Sequence, residues 1–494
     1  MTFPPQWNAA PEVAPPTTHD AIVIVPGIMG SELVDISGGK GKEKVLWGLA
    51  KPGWLAKAWL SPSGLKGLHL TPEEAAGQST RVEPRRLLST PAWTPFLRGI
   101  EPYTKLTSDV EATAADPAAV LAFPYDWRLS VDHNARRLAK EARAHLQRWR
   151  SHPKHTEARR RAVDEREARL VFIAHSMGGL ITYAALALGG DSDLTADIRG
   201  IMTLGTPFHG SVAAANILNS IQGAPLPLPH SKLAALAATM PGVHDLLPRY
   251  PCLEDGLDVR SLSPSDIAAL GGDKDLAAIS IAYFDNLYTH HLPQLRPVVG
   301  IQQDTDQSLQ IVNGVVIPAT YSFRHHNDDK QLLRDEHGRP RRFQVWGDGT
   351  VPRESASLQR RTIPLALQHG ALASNQHARQ AVIDFLLEDD HLGPDQAPGA
   401  LGLTVPDYVT PDTEWQLNIT GTDHPAGTDI TITALDGSWT ASPPLYGSDN
   451  DTLAADLRVP ATGLYRVTVQ ADRSPTTLTQ LVLAGPNDTT PVGE

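Results

Sequence analysis

Cysteine is nearly missing from this chain: Cys252 stands alone among 494 residues. A single thiol cannot form a disulfide within the chain, so the fold must be held by its core, and Cys252 itself reads as a buried thiol. Positive charge is also short. Lys and Arg number 43 against 55 Asp and Glu, for a net charge of −12, which argues against nucleic acid as the main partner. No stretch approaches the ~18 uninterrupted apolar residues of a membrane span. The opening residues, M-T-F-P-P-Q-W-N-A-A-P-E, lack the basic start and apolar core of a signal peptide. These absences predict a soluble, cytoplasmic protein, with export by another route left open. At 41% hydrophobic, a chain of this length suggests two domains and a large core.

What is present begins with a Pro-rich segment over residues 1–19. Apolar strands are expected at residues 20–26, 118–123 and 170–174, then in R-G-I-M-T-L before a turn at Gly205, and again at 296–301, 342–346 and 363–366. Between them, Ala135, Leu138, Ala142, Leu146 and Trp149 fall three or four apart, the stripe of an amphipathic helix. The mixed-charge run at 159–169 reads as a solvated helix. Strands alternating with helices imply a mainly parallel sheet covered on both faces, within a domain spanning 20–398. Two stretches fall outside that rhythm and read as cap insertions. One lies near 35–95 and carries a Trp/Leu tract; the other, near 211–291, is mostly helical and broken by prolines.

Composition shifts after about residue 398. W-Q-L-N-I-T, D-I-T-I-T-A, L-A-A-D-L-R-V and Y-R-V-T-V-Q-A place apolar residues at every second position, with turn residues between. A linker at 399–405 followed by a small sandwich-like β-domain at 406–494 is expected, and its alternation is complete enough to predict independent folding. The acidic loop G-S-D-N-D-T from Gly447 and the H-H-N-D-D run from His325 lack ligand spacing, so no metal site is expected.

Chemistry concentrates in L-V-F-I-A-H-S-M-G-G-L at 170–180. An apolar strand, a tight turn at Ser176 and a small-residue helix form the layout of a nucleophile elbow, with Ala174 where the usual pattern has its first glycine. A serine hydroxyl needs a base to take its proton. Asp348, in W-G-D-G-T-V-P after the strand expected at 342–346, and His369, in L-Q-H-G-A-L, complete the order Ser, Asp, His. His377 is the competing base, but it falls at the start of a helical pattern, whereas His369 sits in the loop before it. Acyl transfer also needs backbone N–H groups aimed at the developing oxyanion. Met177, after the nucleophile, supplies one, and the P-G-I-M-G loop after the first strand supplies the other, from Met29 rather than Ile28.

The set V-P-G-I-M-G-S-E-L, F-P-Y-D-W-R-L-S, A-H-S-M-G-G-L, L-G-T-P-F-H-G-S, W-G-D-G-T-V-P and L-Q-H-G-A-L-A-S-N resembles the lecithin–cholesterol acyltransferase family of α/β-hydrolases, over roughly residues 20–390. The resemblance implies a serine acyl-enzyme mechanism on lipid esters, with Ser176, Asp348 and His369 as triad, Met29 and Met177 as oxyanion donors, and no cofactor or metal. It also implies structural roles for Asp126 and Arg128. The chain departs from the family in having no cysteine to pin a lid and in carrying a C-terminal β-domain. Hydrolysis of lipid esters is the expected activity and O-acyl transfer to an alcohol the alternative; a binding protein on a hydrolase fold would show a broken triad. Both insertions are expected over Ser176, where Ile28, Trp47 and Trp54 would line an apolar site. The cap or the β-domain would make any contact with a membrane surface or a protein partner.

Overall fold

The computed structural model describes residues 16–48, 52–61, 63–78, 81–95, 97, 99–162, 165–219, 225–288, 292, 294–326, 331–389, 400–422, 424–448, 452–472, 474, 476–487 and 489–491. Ala21–Val25 and Leu170–His175 are buried at every position, which is why both are unbroken apolar runs: helices cover both faces of the sheet they belong to. That sheet has six parallel strands in the order Ile363–Leu365, Leu295–Gly300, Ile198–Leu204, Leu170–His175, Ala21–Val25, Val120–Ala122. The chain leaves Ala21–Val25 toward one edge and returns on its other side at Leu170–His175. Their carboxyl ends flank the point of reversal, where open α/β sheets place their sites. The order and the covering helices make this an α/β-hydrolase fold with an all-β domain at its C-terminus. The expected helical stripe is borne out: Val131–Arg150 buries Ala135, Leu138, Ala142, Leu146 and Trp149.

Several expectations shift. The segment at 342–346 is not a strand of the central sheet. Only Arg342–Gln344 is extended, and it pairs antiparallel with Tyr321–Phe323. Its one apolar residue, Phe343, sits between exposed neighbours, so it could not fill a strand buried on both faces. It belongs to a third insertion, after Leu295–Gly300, which also holds the hairpin of Ser308–Val312 and Val315–Ala319. The strand expected at 118–123 is only Val120–Ala122, because Pro117–Ala119 turns under a cap from Asp116. The charged helix ends at Arg161.

The first insertion is an antiparallel sheet of Ser31–Asp35, Lys44–Trp47 and Val82–Leu87 with the helix Pro52–Leu60. Its core is a chain of tryptophans, edge to face, from Trp127 through Trp47 and Trp59 to Trp93, with centroids 5.9, 6.3 and 5.7 Å apart. The second insertion is mainly helical, with the hairpin Leu253–Asp255 and Asp258–Arg260 and the strand Pro225–Pro227, which pairs antiparallel with Thr489–Pro491. Lys232, on its helix Leu228–Ala237, donates to Ala58 O at 3.0 Å and Trp59 O at 2.9 Å. An ammonium at the carbonyl end of Pro52–Leu60 is where the helix dipole favours a cation, and it ties the two insertions together.

The C-terminal domain is a sandwich of a four-stranded and a five-stranded sheet. Residues 402–404, expected as linker, instead form its edge strand: Gly402–Thr404 pairs with Trp415–Thr420. The alternation already starts there, with Leu401, Leu403 and Val405 all buried. Leu478–Ala484, not anticipated, lies in the larger sheet between Tyr408–Val409 and Gly463–Ala471. The sandwich docks on the hydrolase core. Gln303 Nε2 donates to Leu401 O at 2.9 Å and Leu403 N–H to Gln303 Oε1 at 3.0 Å. Thr476 Oγ1 donates to Ala366 O at 2.9 Å. Among the described residues no helix is long and apolar enough to cross a membrane and no group of three ligating side chains could hold a metal. Residues 327–329 of the H-H-N-D-D run and 449–451 of the acidic loop lie outside the described residues.

Candidate active site

Ser176 occupies the corner between Leu170–His175 and the helix Met177–Leu186, at φ +52 and ψ −129. A non-glycine residue rarely adopts that conformation, at a cost of roughly 1–3 kcal/mol. Its N–H donates to Leu204 O at 2.9 Å, and its own carbonyl accepts from Thr206 Oγ1 at 3.0 Å, so the neighbouring strand's end holds the turn on both sides. Met177 opens the helix, where the first N–H groups have no partner within the helix.

His369 bridges the other two candidates. Its Nε2 lies 2.8 Å from Ser176 Oγ and its Nδ1 2.7 Å from Asp348 Oδ2. The Asp348 carboxylate is 1% exposed and is fixed through Oδ1, which accepts from Thr350 N–H at 3.0 Å and Val351 N–H at 2.6 Å. Its backbone carbonyl accepts from His369 N–H at 2.8 Å. Asp348 does not follow a sheet strand directly; it ends the third insertion, which returns to bridge Gln303 just past Leu295–Gly300. Gly205, at φ +61, leaves room for this group: a Cβ there would lie 2.9 Å from Asp348 Oδ2 and 3.1 Å from His369 Nδ1. His377 begins the helix Gln376–Leu387, away from Ser176.

The loop after the first strand faces the nucleophile. A Cβ on Gly27 would lie 2.8 Å from Ser176 Cβ, so only glycine fits. Gly30 N–H closes a turn onto Gly27 O at 3.0 Å, and Met29 stands within it at φ +59. Trp47 Nε1 donates to Met29 O at 2.7 Å, and Thr94 Oγ1 to Met29 Sδ at 3.2 Å. Ile28 is almost fully buried beside it. Of the three expected substrate contacts, Trp47 is buried and Trp54 half-buried; both border a cleft of about 620 Å³.

Two residues that sequence reasoning passed over join these loops. Gly27 N–H donates to Tyr103 Oη at 2.9 Å, and Tyr103 Oη lies 2.7 Å from His175 Nδ1. His175 Nε2 in turn lies 3.1 Å from His369 O. The relay is consistent only with a neutral His175 protonated at Nε2, donating to the carbonyl and accepting from the phenol. Burial, helped by the neighbouring His369, pushes its pKa down to about 3. The signal was in view: a histidine directly before Ser176.

Asp126 and Arg128 stand apart from the reacting atoms. Arg128, 1% exposed, pairs with Asp126 Oδ2 at 2.7 Å and with Glu74 Oε1 at 2.9 Å. Glu74 caps its own short helix through Thr71, so the pair clasps the first insertion to the core. Cys252 is buried, and burial pushes its thiol up to about 12.

The model of the lecithin:cholesterol acyltransferase family matches residues 96–270, a stretch that holds Ser176, Met177, Asp126 and Arg128 and stops short of Asp348 and His369. The chain is in that sense lecithin:cholesterol acyltransferase-like, as its motifs expect. No curated protein matches it. Among solved structures, a chain in the crystal structure of the Tle4–Tli4 complex aligns at 14% identity, over 76% of this chain and 99% of that one, with a TM-score of 0.44. A Lin-41 filamin domain aligns at 11% identity, over 18% of this chain and 98% of its own, at 0.16. Scores this low carry no weight, and the fold rests on the strand order itself.

Proposed function

We propose that this α/β-hydrolase, akin to the lecithin:cholesterol acyltransferases, is a serine acyl hydrolase that cleaves carboxylic esters of lipids. The observation that carries the reading is His369, within hydrogen-bond distance of both Ser176 Oγ and the Asp348 carboxylate. Asp348 holds the imidazole with its proton on Nδ1, so Nε2 is free to take the serine proton. Ser176 Oγ then attacks the ester carbonyl, and the oxyanion rests on the Met29 and Met177 N–H groups. His369 returns the proton to the departing alcohol, leaving an acyl-serine. Water, deprotonated by the same histidine, releases the acid.

Transfer of the acyl group to an alcohol is the second reading, favoured by burial: Ser176 is 5% and His369 7% exposed, which restricts water at the acyl-enzyme. Ile28, Trp47 and Trp54 are proposed to border the acyl site. Each methylene buried there adds about 0.8 kcal/mol, so esters of medium and long acids should exceed acetate by well over tenfold in kcat/KM.

Replacing Ser176 by Ala should lower ester turnover on the order of 10⁶-fold and abolish labelling by a fluorophosphonate. Turnover at the wild-type level in the purified variant would end the assignment. Incubation with a lipid ester and an alcohol then separates the two readings by product: free acid for hydrolysis, a new ester for transfer.

A further inference from the structure

We infer that the C-terminal β-sandwich forms one wall of the acyl site, so that the cleft between it and the first insertion holds the acyl chain of the ester attacked at Ser176. The inference rests on the reading of Ser176 as nucleophile and adds to it a part played by a second domain.

The cleft of about 620 Å³ has the size of a ligand site. One side is Trp47, Trp54, Leu88 and Ala92, and the other is Leu435 and Thr479 of the sandwich. Among the described residues its one ion pair joins the two sides: Arg466 grips Glu101 through Nε at 3.0 Å and Nη2 at 2.8 Å. With those two charges facing each other and the third charged lining residue, Lys105, exposed to solvent, the remaining walls favour an apolar occupant.

The cleft also leads to the chemistry. Trp47, in its floor, is the residue that holds the Met29 carbonyl. At its inner end a small cavity of about 10 Å³ shares Glu101, Ala371 and Thr479 with the cleft and reaches Asp348 and His369. That junction has room for about one water, so an acyl chain has to widen it on binding, and the sandwich is what narrows it. Leu481 lies on Gly99 (φ +101) so closely that a Cβ there would meet Leu481 Cβ at 2.8 Å. The strand Leu478–Ala484 therefore both lines the cleft, through Thr479, and throttles its passage to the triad, through Leu481. Thr479 borders both cavities and Leu435 the outer cleft alone, so a chain reaching the cleft from the His369 side would pass Thr479 first.

The order of the two residues supplies the test. Leu435→Trp and Thr479→Phe fill the cleft at different depths in the full-length protein. The readout is the ratio of kcat/KM for p-nitrophenyl palmitate and octanoate to that for acetate. With Leu435→Trp the palmitate ratio should fall at least tenfold and the octanoate ratio less. With Thr479→Phe both should fall at least tenfold. Leu435→Ala and Thr479→Ala only remove atoms, and they carry the test where a larger side chain prevents folding: the preference should then move toward longer chains. Chain-length ratios equal to wild type in folded variants would overturn the inference, as would equal losses on all three esters. A wild-type protein whose Ser176 takes no fluorophosphonate would instead overturn the function on which it rests.

Discussion

Acid should loosen this protein through His175, and the size of the effect follows from its burial. The ring is 3% exposed, accepts from Tyr103 and donates to the His369 carbonyl, and burial holds its pKa down to about 3, against an ordinary 6.5. A group whose folded pKa is depressed contributes stability that is complete above the unfolded pKa. It is lost as pH falls, because the unfolded chain takes up a proton that the folded one refuses. The window therefore runs from about pH 6.5 down toward pH 3. At pH 5 the unfolded state has gained about 1.5 pH units of protonation, worth about 2 kcal/mol. His69, His145, His155, His209 and His244 are also pushed down by burial, so the total loss in acid is a sum. Comparison with His175→Asn, which cannot titrate but can still meet Tyr103, isolates the one site. Urea unfolding at pH 7 and pH 5 should show the wild type losing about 2 kcal/mol more than the variant. Equal losses in the two proteins would mean that His175 is protonated in the fold, and the neutral relay between Gly27 and His369 would be wrong.

Trp47→Phe keeps the ring but removes the donor to Met29 O; kcat should fall about tenfold with KM little changed, as expected for a hydrogen bond that positions an oxyanion donor, and steady-state kinetics check it. Arg128→Met leaves Asp126 without its cation and Glu74 with Arg81 alone, and should cost roughly 3 kcal/mol, read by thermal or urea denaturation. Side by side, His369→Ala should be inactive and His377→Ala largely active; the reverse would move the base. A fragment of residues 400–494 should melt cooperatively by circular dichroism, whereas one beginning at 406 lacks the edge strand Gly402–Thr404 and should melt lower; a fragment at 400–494 that gives a random-coil spectrum would refute independent folding.

The candidate site was legible because its chemistry demands particular residues at strand ends. Ser176 is marked by the small residues its turn requires, and Asp348 and His369 by their order in the chain. Their setting was less legible. The antiparallel sheet Ser31–Asp35, Lys44–Trp47, Val82–Leu87 joins residues some fifty apart, and no local period announces such a pairing. Arg342–Gln344 was misjudged because V-W continued the apolar run in sequence, while the strand itself stopped before it. Leu478–Ala484 escaped for a more instructive reason. L-T-Q-L-V-L-A does not alternate, because Leu481 and Leu483 are buried on the face opposite Leu478 and Val482. A sandwich strand loses its alternation where its outer face is covered, so the missing period was itself the trace of docking on the hydrolase core.

Two strained residues face each other across Gly27, and what holds them bears on why the first insertion exists. Met29 and Ser176 both sit at positive φ, each at a cost of roughly 1–3 kcal/mol. The strand ends repay the cost at Ser176, through Leu204 O and Thr206 Oγ1. At Met29 the sheet offers nothing. Its carbonyl is held by Trp47 and its sulfur by Thr94, both from the first insertion, and Gly27 beside it by Tyr103. Trp47 is in turn wedged edge to face between Trp59 and Trp127, so its indole N–H cannot swing away without opening that core. The insertion thus fixes the backbone that would receive the oxyanion, whatever ester lies in the cleft. A lid that merely covered the site could move freely between open and closed positions. This one is bound by Trp47 to the Met29 carbonyl, so any opening that admits substrate has to leave Lys44–Trp47, and the Trp59 that wedges it, in place.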